Sequence, residues 1–93
     1  MSEITVTPTG ELTFGVEVAE GEAARTSHVV RVSRDLLDDL QLNEGDAQRL
    51  VWESFQFLLE REKPTEILPE FELDEIQRYF PSYRHEIAAR VAA

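Results

Sequence analysis

The chain has 93 residues, 42% of them hydrophobic and 30% charged, a mixture that excludes an intrinsically disordered chain. Without cysteine, it cannot form disulfides or thiolate metal sites. Nineteen acidic residues against nine scattered basic ones give a net charge of −10, which argues against direct binding to nucleic acid or to an anionic membrane.

The length of the chain predicts a single domain spanning residues 1–93. Residues 1–5 have neither the basic start nor the apolar run of a secretory signal, and no apolar run is long enough to span a membrane. We therefore expect a cytoplasmic protein.

The first third of the chain alternates apolar and polar residues, a pattern typical of half-buried strands. It predicts a three-stranded antiparallel meander at about residues 3–7, 12–19 and 24–32. One face of this sheet is apolar, and a sheet with one wet face needs helices over the other. The predicted apolar face comprises Ile4, Val6, Leu12, Phe14, Val16, Val18, Val30 and Val32.

The turn residues suggest a register for the meander. The tripeptide Pro8-Thr9-Gly10 fits a three-residue hairpin loop, which places Ile4 opposite Phe14. A second turn around residues 20–22 places Val16 opposite Thr26. This register also sets opposite charges across from each other on the polar face, Glu17 with Arg25 and Glu11 with Arg31.

The rest of the chain predicts four helices, at about residues 34–40, 46–62, 74–80 and 82–91. Ser33 is a suitable N-cap for the first of them, and Asp74 for the third. The helix at 46–62 has an apolar arc wider than one sheet face needs, so we expect a second cover over it. That cover is either the C-terminal third or a second copy of the chain, which leaves a homodimer open. The predicted class is α+β, with the helical half packed on one face of the sheet.

No catalytic constellation is visible, and we expect neither an enzyme nor a cofactor-binding protein. The dispersed glycines form no phosphate-binding loop, and the histidines His28 and His85 are too few for a zinc site. We expect His28 to lie at the inner face of the sheet, satisfied by hydrogen bonds. The acidic run at residues 70–75 lacks the glycine turn of a calcium loop, so solvated side chains and a helix cap are the favoured interpretation over a weak cation site.

The segment from Glu53 to Ile87 carries a distinctive series of short motifs. They are ESF at 53–55, FLLERE at 57–62, IL at 67–68, the pair Phe71 and Leu73, and RYFP at 78–81. In these motifs the chain resembles a group of small uncharacterised bacterial proteins. The resemblance covers roughly the C-terminal half; it implies a bacterial origin and no activity.

Two functions of different classes fit the sequence. The first is an acidic protein-interaction module, self-associating or antitoxin-like or mimicking nucleic acid, that binds a protein partner through aromatic anchors. Those anchors are Trp52, Phe57, Tyr79, Phe80 and Tyr83. The alternative is a small-ligand binder or minor enzyme with a groove between the sheet and the C-terminal helices. Its polar groups would be Arg78, Arg84 and His85.

Overall fold

The structure is a computed structural model that describes residues 2–21 and 24–92, so Glu22 of the second predicted turn lies outside the described residues. Four strands form one sheet in the order β1-β2-β3-β4, the first three antiparallel and β4 parallel to β3. The strands are β1 (Ser2–Gly10), β2 (Thr13–Glu20), β3 (Ala24–Arg31) and β4 (Glu70–Glu72). The predicted α+β meander is confirmed, and β4 is an addition that sequence patterning did not predict.

Helices follow the meander, as predicted, with modified boundaries. They are α1 (Arg34–Asp39), α2 (Ala47–Leu59), α3 (Ile76–Tyr79) and α4 (Tyr83–Ala92). The helix predicted at 74–80 is divided into a 3₁₀ turn, Leu73–Glu75, and the four residues of α3. Two more 3₁₀ turns, Glu44–Asp46 and Pro64–Glu66, precede α2 and β4. Within the described residues, no helix is long and apolar enough to cross a bilayer.

The register of the meander differs from the predicted one. Ile4 lies opposite Val18 rather than Phe14, and Val16 lies opposite His28 rather than Thr26. The first hairpin turns after Gly10, with Leu12 in the left-handed region at a φ of 52°, where residues other than glycine are uncommon. The turn therefore consists of Glu11 and Leu12, and the prediction of the tripeptide Pro8-Thr9-Gly10 as the hairpin loop was wrong. Both shifts are by an even number of residues, so the predicted apolar face still faces the core.

The predicted charge pairs are rearranged by this register. Arg25 still contacts Glu17, at 3.3 Å between Nη1 and Oε1, although the two residues are no longer directly opposite. Arg31 contacts Glu70 and Glu72 of β4 instead of Glu11. Because the fourth strand was not predicted, its carboxylates could not be considered as partners of Arg31.

The buried residues of the sheet and the helices form one contiguous cluster. Helix α2 crosses the inner face of the sheet, where Phe55 packs on the ring of His28 at 5.4 Å and on that of Phe71 at 6.0 Å between centroids. On its other side α2 packs against α4, where the rings of Phe57 and Tyr83 lie 5.3 Å apart. The second cover of α2 is therefore the C-terminal third of the same chain.

Ser33 caps α1 as predicted, accepting a hydrogen bond of 3.0 Å from the backbone N of Leu36. The hydroxyl of Ser33 also donates to the Asp74 carboxylate at 2.9 Å. The prediction of Asp74 as an N-cap is corrected, since Glu72 holds the N-cap position of the 3₁₀ turn. Asp74 instead ties the start of α3 to the start of α1.

Candidate functional site

The five aromatic residues predicted as anchors fall into different environments. Phe57 and Tyr83 are fully buried, and Phe80 is half-buried. Trp52 is 40% exposed and Tyr79 is 68% exposed. Trp52 lines a shallow depression with Val6 and Gln48, whereas Tyr79 and Phe80 line another cavity at the opposite end of α2. The aromatic residues therefore do not form one exposed patch.

Phe57 and Tyr83 belong to a sealed contact between α2 and α4, here called the α2–α4 seam. The hydroxyls of Ser54 and Tyr83 share a buried hydrogen bond of 2.7 Å. Burial raises the pKa of the Tyr83 hydroxyl, so this group remains a neutral hydrogen-bonding group. The guanidinium of Arg61 lies 3.7 Å from the centre of the Phe57 ring. The structure thus corrects the assignment of Phe57 and Tyr83 to a binding surface, because neither ring is accessible.

The three polar residues of the predicted ligand groove are found in ion pairing or at exposed positions. Arg84 Nη1 contacts Asp39 at 2.6 Å, which fastens α4 to α1. Arg78 and His85 are exposed. None of the three lines the depression beside Trp52, the one beside His28 on the sheet, or the cavity beside Tyr79. The structure therefore corrects the prediction that this trio lines a groove.

A different groove lies between the end of α2, the loop after it, β4 and α3, and is called the groove below. Its cavity volume is about 240 Å³. Four apolar side chains that are only 4–6% exposed form its floor: Leu58, Ile67, Phe71 and Ile76. Leu68, which is 48% exposed, and Tyr79 form its walls, together with Phe80.

The loop that carries Leu68 is fixed to the sheet by two hydrogen bonds. His28 Nδ1 donates to the carbonyl of Leu68 at 2.7 Å, and the backbone N of Val29 donates to the carbonyl of Pro69 at 2.8 Å. The other ring nitrogen of His28 bonds to Thr26 Oγ1 at 2.9 Å. The prediction of a hydrogen-bonded His28 is confirmed, and its partner is the wall of the groove.

The rim of the groove is acidic, with carboxylates from Glu62, Glu66 and Glu75. Two of them are held in place by the 3₁₀ turns that carry them. Glu66 accepts a hydrogen bond from the backbone N of Lys63 at 2.8 Å, and Glu75 accepts one from the backbone N of Glu72 at 3.0 Å. Each bond fixes the glutamate side chain as well as the first turn.

Most basic side chains of the described residues form ion pairs away from the rim of the groove. Seven of the nine basic residues form ion pairs elsewhere: Arg25, Arg31, Arg34, Arg49, Arg61, Arg84 and Arg90. Among residues 2–21 and 24–92, no ion pair involves Glu62, Glu66 or Glu75. Partial burial and the nearby charge of Glu66 raise the pKa of the Glu62 carboxyl.

The chain was compared with family models, curated proteins and solved structures, and no match was found in any of the three. No group of three or more His, Asp or Glu side chains in the described residues is placed to hold a metal ion.

Sequence reasoning missed most of the groove. It identified Tyr79 and Phe80, but not Leu68, Glu62 or Glu66. One signal was present: Ile67 and Leu68 form an apolar pair inside a short loop, between Pro64 and Pro69 and flanked by glutamates. An apolar pair in a polar loop either fills a core or lines a surface depression, and here Ile67 does the first and Leu68 the second.

Proposed function

We propose that this protein is a non-catalytic protein-interaction module, whose groove receives an apolar segment of a basic partner protein. The observation that carries the proposal is an apolar floor, open to solvent, ringed by three carboxylates that form no ion pair with any other described residue. Apolar surface with a polar rim is the usual composition of a protein-binding site.

The size of the groove favours side chains of a protein over an enclosed small ligand. Its volume of about 240 Å³ is below the roughly 300–1,000 Å³ of most small-molecule pockets. A few apolar side chains of a partner fit this space, with Leu68 and Tyr79 flanking them. Aromatic residues such as Tyr79 are enriched at the energetic centres of interfaces.

The charge of the chain favours a basic partner over a second copy. Two copies, each with a net charge of −10, would repel each other, and docking would bring more negative charge to an acidic rim. A basic protein, by contrast, is steered toward the groove. Docking of apolar side chains also differs from mimicry of nucleic acid, in which carboxylates alone would replace phosphates. An antitoxin that covers a basic toxin is one role that such a groove would serve.

A display selection with random 12-residue peptides on the immobilised protein tests the proposal. We expect the enriched peptides to combine leucine, isoleucine or an aromatic residue with lysine or arginine. Enrichment should be lost on the double variant Leu68→Ala/Tyr79→Ala, because it removes both exposed walls. The matched control is Trp52→Ala, which removes an exposed aromatic residue on the same helix layer but outside the groove.

Two results would contradict the proposal. One is that no peptide is enriched over an unrelated acidic protein of similar charge. The other is enrichment that survives Leu68→Ala/Tyr79→Ala and disappears with Trp52→Ala, which would move the binding surface to the depression beside β1.

A further inference from the structure

We propose that the occupant of the groove is an amphipathic segment of the partner, whose apolar side chains lie on the floor while an adjacent lysine or arginine meets the carboxylates of Glu62 and Glu66. This inference rests on the proposed function and specifies which partner segments the groove accepts. It makes Glu62 and Glu66 the residues that determine specificity, and Leu68 and Tyr79 the residues that supply contact area.

The geometry places these two carboxylates beside the apolar floor, with Glu62 half-buried and Glu66 exposed. Glu62 lies three residues beyond the end of α2, and its backbone N donates to the carbonyl of Leu58, a floor residue, at 2.7 Å. Glu66 ends the next 3₁₀ turn, with one carboxylate oxygen fixed by the backbone N of Lys63. A cation entering between them would contact carboxylates and apolar side chains at the same time.

Neither carboxylate forms an ion pair with another residue of the described part of the chain. The raised pKa of Glu62 has partial burial as its first cause and the charge of Glu66 as its second. Lys63 lies between them in sequence, yet within the described residues its ammonium forms no ion pair with either. Two like charges at the rim, one of them partly buried, favour an incoming cation, because it relieves their repulsion and the cost of burying Glu62 together.

Simple amphiphiles with one chain length and three head groups can test this without a known partner. The probes are octylammonium, octanol and octanoate, titrated below micelle formation into isotopically labelled protein and followed by backbone amide shifts. All three chains have apolar surface for the floor, and only the head group differs. We expect octylammonium to bind several-fold more tightly than octanol, and octanoate to bind most weakly.

Paired variants separate local recognition from net charge. Glu62→Gln/Glu66→Gln should remove the preference for octylammonium over octanol while leaving octanol binding unchanged. The matched control is Glu3→Gln/Glu20→Gln, which removes the same charge from two exposed strand residues far from the groove in sequence. The control should keep the preference.

The outcomes distinguish failure of this inference from failure of the proposed function. If octanol and octylammonium bind the groove equally in the wild type, or if Glu62→Gln/Glu66→Gln keeps the preference, the inference is overturned and the groove remains a docking site. If no probe shifts the amides of residues 66–80, the groove does not accept apolar chains, and both the inference and the proposed function fail.

Discussion

Helix α2 has two flanks with similar aromatic and aliphatic side chains. One flank is sealed from solvent, and the other borders an open groove. On one flank, the α2–α4 seam closes over Phe57 and Tyr83 so completely that neither ring reaches solvent. On the other, Leu58 lies at the floor of an open groove. Phe80 connects the two, since its ring lies 5.9 Å from that of Phe57 and its exposed side lines the groove.

The difference comes from the length of the covering element and from the charges around it. The seam is covered by the ten residues of α4, whereas the groove is bordered by α3, which has only four. At the seam, Arg61 contacts Glu86 and Arg90 contacts Glu60, each at 2.7 Å. At the groove, the carboxylates have no such partners in the described part of the chain. This combination of apolar floor and unpaired carboxylates is the reason for proposing the groove, and not the seam, as the docking surface.

The largest expected effect separates the two flanks by stability. Phe57→Ala should lower the free energy of unfolding by about 3–5 kcal/mol, because it leaves a cavity in the sealed seam. Tyr79→Ala, its counterpart at the groove, should change that free energy by no more than about 0.5 kcal/mol. Urea unfolding followed by circular dichroism measures both. Equal losses of stability in the two variants would contradict the claim that the seam stabilises the fold while the exposed wall of the groove does not.

A smaller effect tests the buried hydrogen bond of the seam. Tyr83→Phe should cost about 1–3 kcal/mol, because the Ser54 hydroxyl loses its partner in the core. Removing both hydroxyls in Ser54→Ala/Tyr83→Phe should recover part of this loss, since no unsatisfied donor or acceptor remains. If the double variant loses the sum of the two single losses, the hydrogen bond is not what couples these residues.

The ion pairs of the seam should contribute less to the free energy of unfolding than its buried hydrogen bond does. Arg90 lowers the pKa of Glu60, so this pair stabilises the fold above the ordinary pKa of glutamate and its contribution is lost as the pH falls through the lowered value. Glu60→Gln should cost at most about 1 kcal/mol at neutral pH, and less at high salt. Glu17→Gln, which breaks a more exposed pair, is the matched control and should have a smaller effect still. A larger loss of stability in Glu17→Gln than in Glu60→Gln would contradict the claim that the ion pairs of the seam stabilise the fold more than an exposed pair does.

The smallest expected change in stability is a gain instead of a loss. Because the pKa of Glu62 is raised in the folded protein, the folded state loses stability as the pH rises from the ordinary value of 4.5 through the raised one. Glu62→Gln should therefore stabilise the protein at neutral pH by up to about 0.5 kcal/mol, and the gain should vanish at acid pH. Thermal unfolding of wild type and variant at both pH values measures it. Destabilisation by Glu62→Gln would mean that the carboxylate serves the fold.

The extent to which the sequence predicts this structure differs between the sheet and the groove. Period-two alternation identified the inner face of the meander, and it survived the wrong register because the shifts preserve the alternation. The turn at Leu12 was missed because a leucine with positive φ has no sequence signature. The wide apolar arc of α2 correctly predicted a double cover, and α4 supplies it.

The groove could not be predicted because it depends on a strand of only three residues. A strand as short as β4 has no detectable periodicity, yet its parallel pairing with β3 places Phe71 beneath the groove. Sequence reasoning also grouped aromatic residues by type, so it could not separate the sealed Phe57 and Tyr83 from the exposed Tyr79. That separation depends on which flank the ten-residue α4 covers.

The most direct test of the central claim is to map the binding site of a basic apolar peptide taken from the display selection. The isotopically labelled protein is titrated with the peptide, and the shifts of its backbone amides are followed. We predict that the shifts concentrate in residues 62–80, around Leu68 and Tyr79, and disappear in Leu68→Ala/Tyr79→Ala. Shifts centred instead on Trp52 and β1, with residues 62–80 unchanged, would contradict the assignment of the groove as the docking surface.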